Sequence, residues 1–332
     1  MAIKKKDAEL YKKYSPKLAE VLRLPNDEKF SDHYFSKIIA GDEIKELNDK
    51  SFDDWLENRL KPNLIFLDKK DYLISTIEAL ETYKGIAGTD FGTSRVRDEA
   101  QLWADKIRGY LAEQAFKKIL LNNFNIECYL PHQAGTAKEN MPSDIPLIKH
   151  ENEKEFKKAK LKISIKQTKW NGVWLDVGQQ YNHSDIYIQI KVNTGTEHLV
   201  SYLKELNFFN ETLLKKGIEE SVITEQKKDK ILSRIKNFDD ISLFAYVAGF
   251  REIKDLSFKF TGKKLIKTVL VNSAEGLITD EVLNKLAKDY KVNKGQINFA
   301  GIGKFSTYPR FVTNTGRLKY RKEEWKKIID KL

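Results

Sequence analysis

One acid and one amine stand at the ends of two β-like runs between residues 142 and 169. Asp144 directly precedes Ile145-Pro146-Leu147-Ile148. Lys166 closes Leu161-Lys162-Ile163-Ser164-Ile165-Lys166, which alternates apolar and polar with the period of a strand. The polar segment 149–160 reads as a solvated hairpin loop, so the two runs are expected to be antiparallel neighbours with Asp144 and Lys166 on one edge of a sheet. An acid and an amine held together beside a metal make a hydrolytic site. The carboxylate would hold a hard cation such as Mg²⁺, which takes one or two carboxylates and keeps waters and substrate oxygens as its other ligands. The lysine would orient or deprotonate the attacking water and offset negative charge that builds on the group under attack. Ile163 and Ile165 share one face of the strand, which leaves Ser164 and Lys166 together on the other. Ser164 could bind a metal-bound water, and the backbone carbonyl of Ile165 could give the metal an oxygen. Singly, an Asp at a strand start caps turns and a strand lysine is solvated; the pairing is what points to chemistry.

The elements that must position these residues follow from periodicity. Residues 1–94 read as a mostly helical region, with helices over 7–24, 34–48, 52–60 and 71–83, ending in the glycine-rich stretch 85–94. A long helix runs from about 95 to 122, and its apolar side includes Leu102, Ile107, Tyr110, Leu111 and Phe116. A short strand is expected at 125–130 and a polar loop at 131–142, which delivers Asp144. Beyond Lys166, Trp170-Asn171-Gly172 makes a tight turn, 173–177 a short strand, 185–192 a central strand and 241–250 a last core strand. Residues 196–236 read as helical, and 257–332 as an α+β region with a strand at 268–272 and helices at 279–291 and 322–332.

Composition bounds the partners. The 332 residues carry 59 Lys+Arg against 48 Asp+Glu, a formal net charge of +11, with 41% hydrophobic residues. This is a folded chain with a bias toward polyanions, whose counterions are released on contact. The single Cys128 excludes an intrachain disulfide and a cysteine zinc cluster, and the five histidines show no zinc spacing. There is no GxxxxGK[ST] or GxGxxG, hence no built-in ATP-driven translocase. With no long apolar run, no membrane is expected and the cytoplasm is the expected location.

Pro142-Ser143-Asp144 followed by Ser164-Ile165-Lys166 resembles the PD-(D/E)XK nuclease motif, and the context over 95–256 resembles a type II restriction endonuclease. Segments 183–191 and 241–250 resemble the later core strands of that superfamily, and 108–116 its helix that carries a glutamate to the site. The resemblance implies an α/β fold, a restriction-endonuclease-like mixed sheet flanked by helices, with residues 1–94 and 257–332 added before and after the 95–256 core. It implies Mg²⁺-dependent, sequence-specific cleavage of double-stranded DNA giving 5′-phosphate ends, a homodimer, and a companion DNA methyltransferase acting on the same site. By the same resemblance Asp144, Lys166, Glu113 and Ser164 are catalytic, and Asp144, Glu113 and the Ile165 carbonyl hold the metal. Ser164 departs from the usual acid, so the second carboxylate is Glu113 or, as a rival, Asp176. Gln167, Lys169 and Asn171 adjoin the site as candidate DNA contacts, and Lys304, Arg310, Arg317, Lys319 and Arg321 form a basic, aromatic-rich stretch that could grip phosphates. A non-specific or repair nuclease of the superfamily and a DNA-binding protein with a decayed site remain open.

Overall fold

The computed structural model describes residues 5–24, 35, 38, 41–44, 46–83, 98–131, 143–179, 181–305 and 308–332. The glycine-rich stretch 85–94, Pro142 and most of the loop before it lie outside the described residues. The chain is mixed α/β. Its central sheet has the order β1-β8-β7-β5, built from β1 (Leu64–Phe66), β5 (Ile163–Lys169), β7 (Ile186–Asn193) and β8 (Phe244–Glu252). Strand β7 pairs antiparallel with β8 and parallel with β5, where Ile163 faces Ile186 and Lys166 faces Gln189.

Alternation along these strands splits the interior in two. Ile186, Ile188, Ile190 and Val192 of β7, with Ala245 and Val247 of β8, enter one core. Tyr187, Phe244, Tyr246 and Ala248 enter the other. A sheet buried on both faces needs such unbroken apolar runs. The phase on β8 changes at a bulge beside Gly249, after which Phe250 joins the first core. Gly249 is required there: its φ is +135°, and a Cβ would sit 2.4 Å from the Lys319 carbonyl oxygen.

The first core is roofed by helix α4 (Glu99–Phe124), capped by Asp98, which accepts from the Gln101 amide at 2.8 Å, and ended by Asn125 in the left-handed region. Helix α3 (Lys69–Thr82) lies against it, fastened where Lys118 meets Asp71 and where the Thr82 and Tyr110 hydroxyls approach to 2.7 Å. Helix α1 (Lys5–Val21) and helix α2 (Asp49–Trp55) cover the opposite face. Helix α2 starts at 49 rather than at the expected 52, because Asn48 accepts the first free amide, from Ser51 at 3.0 Å.

Two arrangements differ from expectation. The runs at 145–148 and 161–166 are not paired strands. β3 (Leu147–His150) lies between β2 (Ile126–Tyr129) and β4 (Lys157–Lys158) in a small antiparallel sheet, whereas β5 is the edge strand of the central one. The segment 149–160 is therefore a hairpin closing on β3 itself, since β4 takes the edge that β5 would have used. The second difference concerns β6 (Trp174–Gly178), which pairs with β12 (Arg310–Asn314) in a sheet otherwise formed after residue 257. That sheet contains β9 (Lys259–Lys264), β10 (Val269–Ile278) and β11 (Ile297–Phe299), with helix α8 (Asp280–Tyr290) connecting the parallel pair β10 and β11. The terminal helix α9 (Lys322–Ile329) returns to the first core through Trp325.

Helix α5 (His198–Glu205) docks on α3 and α4 through a buried histidine. The Arg108 guanidinium can only donate, and it lies 3.0 Å from His198 Nε2. Nε2 is thus the acceptor, and Nδ1–H donates to the Tyr72 hydroxyl at 2.6 Å. Burial, reinforced by the Arg108 charge, pulls the imidazole from its ordinary 6.5 down to about 4. A histidine depressed in the folded state binds fewer protons than in the unfolded chain, so its stability is present above pH 6.5 and lost as pH falls toward about 4. Urea melts between these pH values should show declining stability, and His198→Asn should flatten that slope; an unchanged slope would refute the assignment. Separately, Asp42→Asn should cost about 3–5 kcal/mol of unfolding free energy, because it leaves Lys191 and Arg59 buried without their acid. Adding Lys191→Met should recover part of that loss, and a single-substitution effect within about 0.5 kcal/mol would mean that the pair carries no structural role.

Candidate active site

The free edge of β5 is where the site is built. In an extended strand the N–H and C=O of one residue point to the same side, and those of Ile163 and Ile165 point away from β7. The turn Ser143-Asp144 occupies that edge. Ser143 Oγ accepts from the Ile163 amide at 3.1 Å and donates to the Ile145 carbonyl at 2.9 Å; the Asp144 amide donates to the Ile163 carbonyl at 2.7 Å. The Asp144 carboxylate accepts from the Ile165 amide at 2.5 Å. The Ile165 carbonyl therefore opens on the same edge as the Asp144 carboxylate, giving two hard oxygen donors side by side. Asp144 thus reaches β5 by a docked turn rather than by a strand pair.

Ile163 and Ile165 pack into the first core, so Ser164 and Lys166 emerge on the opposite face. Burial pushes the Asp144 carboxyl above its ordinary range. The Lys166 charge, the Ile165 amide, the Ser164 hydroxyl and, more weakly, Lys106 pull the other way without cancelling it. Ser164 is buried, within hydrogen-bonding reach of Asp144, and fixes the carboxylate instead of replacing it as an acid.

Glu113 comes from the middle of α4, partly buried, three residues after Tyr110 and seven after Lys106, hence on one helix face with both. Burial holds the Lys106 ammonium below its ordinary value, opposed by attraction to Glu113 and to Asp144. Lys106 is thus a neighbour of both acids. Its Nζ also donates to the Tyr110 hydroxyl at 3.2 Å. Sequence reading passed over this lysine, although its place two helical turns before Glu113 was a usable signal.

The rival acid is otherwise engaged. Asp176 sits on β6, where Oδ1 accepts from Arg310 Nε at 2.9 Å and from the Gly178 amide at 3.1 Å. Gln167 follows Lys166 on β5, and its buried Nε2 has no hydrogen-bond partner among the described residues. Lys169 and Asn171 lie in the turn to β6, closed by the Gly172 amide donating to the Lys169 carbonyl at 2.8 Å. Much of the basic C-terminal stretch is committed internally: Arg310 to Asp176, Arg317 to Glu43 at 3.1 Å, and Lys319 to Glu252 at 2.8 Å.

Among the described residues no three His, Cys, Asp or Glu side chains form a group able to hold a metal. The donors at hand are a desolvated carboxylate, a backbone carbonyl and, on α4, Glu113, which shares the neighbour Lys106 with Asp144. That set fits a hard cation which keeps waters and substrate oxygens, as Mg²⁺ does, and does not fit a zinc cage. No helix of the described residues is long and apolar enough to cross a membrane. No protein-family model matches the chain, and no curated protein or solved structure does.

Binding of a divalent cation here should raise the melting temperature by mass action, about 2.7 kcal/mol of stabilisation at a hundredfold excess over Kd. Asp144→Asn should abolish the Mg²⁺-dependent shift and Asp176→Asn should preserve it. The reverse pattern would relocate the metal to β6.

Proposed function

We propose that the protein is a Mg²⁺-dependent nuclease acting on double-stranded DNA, and that it is a type II restriction endonuclease. The observation that carries this reading is the Asp144 carboxylate seated on the open edge of β5, beside the Ile165 carbonyl, with Lys166 on the same strand. The net charge of +11 supports a polyanionic substrate.

Bound between Asp144, the Ile165 carbonyl and Glu113, Mg²⁺ would supply Lewis-acid polarisation of the scissile phosphate and acidification of a water. Asp144, held by the Ile165 amide and Ser164, fixes one side of the phosphate position. Lys166 orients the attacking water and offsets charge on the phosphorane. Lys106 steadies Glu113 on the helix side. The water oxygen bonds to phosphorus as its proton passes to solvent, the bond to the 3′ oxygen breaks, and that oxygen takes a proton from solvent, giving 5′-phosphate and 3′-hydroxyl ends. Cutting both strands of a palindrome is simplest for a two-fold symmetric pair, so the acting species in this reading is a homodimer. A methyltransferase acting on the same sequence would protect host DNA.

Digestion of plasmid DNA by purified protein should give discrete fragments with Mg²⁺ and none with EDTA. Asp144→Ala and Lys166→Ala should each lower the rate by about 10²-fold or more. A smear in place of bands would make the protein a non-specific nuclease. Binding without any cutting would make it a DNA-binding module and overturn the hydrolytic reading.

A further inference from the structure

The hairpin of β9 and β10 ends in an apolar side chain surrounded by water. Ile266 is 96% exposed, the highest value among the large apolar side chains described, and Leu265 beside it is 39% exposed. Lys264 and Val269 are the last facing pair of the hairpin, and the Leu265 amide donates to the Thr268 carbonyl at 2.7 Å, so the apex is the dipeptide Ile266-Lys267.

The arm is rooted firmly. Its base packs through Phe260, which stacks on Phe258 at 5.7 Å and meets Tyr290 of α8 edge-on at 6.1 Å. Val269 and Val271 of β10 are buried in the same C-terminal core. Lys263 and Lys264 point to opposite faces of the hairpin, because successive strand residues do, and Lys267 stands at the apex. All three are exposed, and none enters an ion pair among the described residues, whereas Lys259 at the base is matched by Asp255 at 3.0 Å. The tip is thus an apolar point with positive charge on both flanks.

We infer that this hairpin is a minor-groove wedge: the lysines hold phosphates on the two sides of the groove, and Ile266 enters between base pairs and kinks the duplex. The inference rests on the reading of duplex DNA as substrate. The fit is one of shape and charge. A two-residue apex suits a groove about 6 Å wide. Phosphates line both walls within reach of Lys263 and Lys264, and an aliphatic side chain is the kind that unstacks a base step while flanking cations supply the affinity. Arg310, Arg317 and Lys319 are tied to acids of the chain itself, whereas Lys263, Lys264 and Lys267 are among the cations of the C-terminal region with no ion pair among the described residues.

The test is a short duplex carrying fluorophores at its two ends, titrated with the full chain in EDTA so that nothing is cut. The intact protein should shorten the end-to-end distance. Ile266→Ser should bind within about twofold of the intact affinity yet leave the distance of the free duplex, since the lysines that supply affinity remain. Replacing Lys263, Lys264 and Lys267 by Gln should reduce the slope of log K against log salt by roughly 2 to 3. Bending by Ile266→Ser equal to that of the intact protein overturns the wedge. So does a change of oligomeric mass on Ile266→Ser, which gives the tip to a second copy, or lysine-dependent capture by phosphatidylserine vesicles without binding to DNA. Because cleavage is not the readout, a protein that bends DNA but fails to cut it with Mg²⁺ loses the nuclease reading and keeps the hairpin. One that cuts normally while Ile266→Ser still bends DNA loses only the hairpin.

Discussion

Two cations and one carboxylate share the interior between the N-terminal helices and the central sheet, and the strand positions depend on how they are matched. Asp42 is fully enclosed and lies 3.3 Å from Lys191 Nζ on β7. It also accepts from Trp55 Nε1 at 2.7 Å and from the Tyr246 hydroxyl of β8 at 3.1 Å. Arg59 donates to the same Tyr246 hydroxyl at 2.9 Å and to the Thr315 carbonyl at 2.5 Å, with its guanidinium 4.3 Å from the Tyr320 ring centre. Burial alone would lift the Asp42 carboxyl, yet Lys191, Arg59 and its two hydrogen-bond donors hold it below the ordinary range. Taking such ions from water costs several kcal/mol each, and only one geometry offsets it. The network thus ties Asp42, Trp55 and Arg59 of the N-terminal region to β7, β8 and the segment around Thr315.

The site inherits that arrangement through register. Lys191 faces Thr168 of β5 on one side and Tyr246 of β8 on the other, so fixing Lys191 fixes where Lys166 lies along the edge. Gln189, also buried, donates to the Trp174 carbonyl at 2.9 Å and accepts from the Thr315 hydroxyl at 2.9 Å. This secures the start of β6 and hence the turn that follows β5. An edge strand leaves backbone groups unpaired and invites misassembly. Here Ser143 and Asp144 cover part of that edge, and the Ile165 carbonyl opens beside a carboxylate with little water around it.

Part of this was legible from residue order. The strand at 186–193, the long helix that contains Glu113 and the glycine turn at 172 appear close to where the periodicities put them, and the strand expected at 161–166 runs from 163 to 169. Local rules suffice for these, since a pleat alternates and a helix repeats whatever its surroundings. The strand pairing of 145–148 was misread, because two neighbouring β-like runs give no sign that a third, at 157–158, will take the intervening edge. Glu113 is the second acid the sequence favours and Asp176 its rival; Arg310, more than a hundred residues further along the chain, engages Asp176, which residue order could not show. Lys106 was overlooked because a lysine in a helix is ordinary until two acids converge on it.

The sequence by itself determined the chemical types at hand, an aspartate and a lysine at the ends of β-like runs, together with the positive net charge and the positions of most of the elements. Tertiary structure decided which groups meet. It bound the turn at 143–144 to the edge of β5, desolvated Asp144, engaged Asp176 and the C-terminal arginines with partners from distant segments, and brought Lys106 next to both acids. The physical reason is range. Backbone periodicity is set by neighbours a few residues away, while desolvation and charge pairing depend on which remote segments exclude water from the same place.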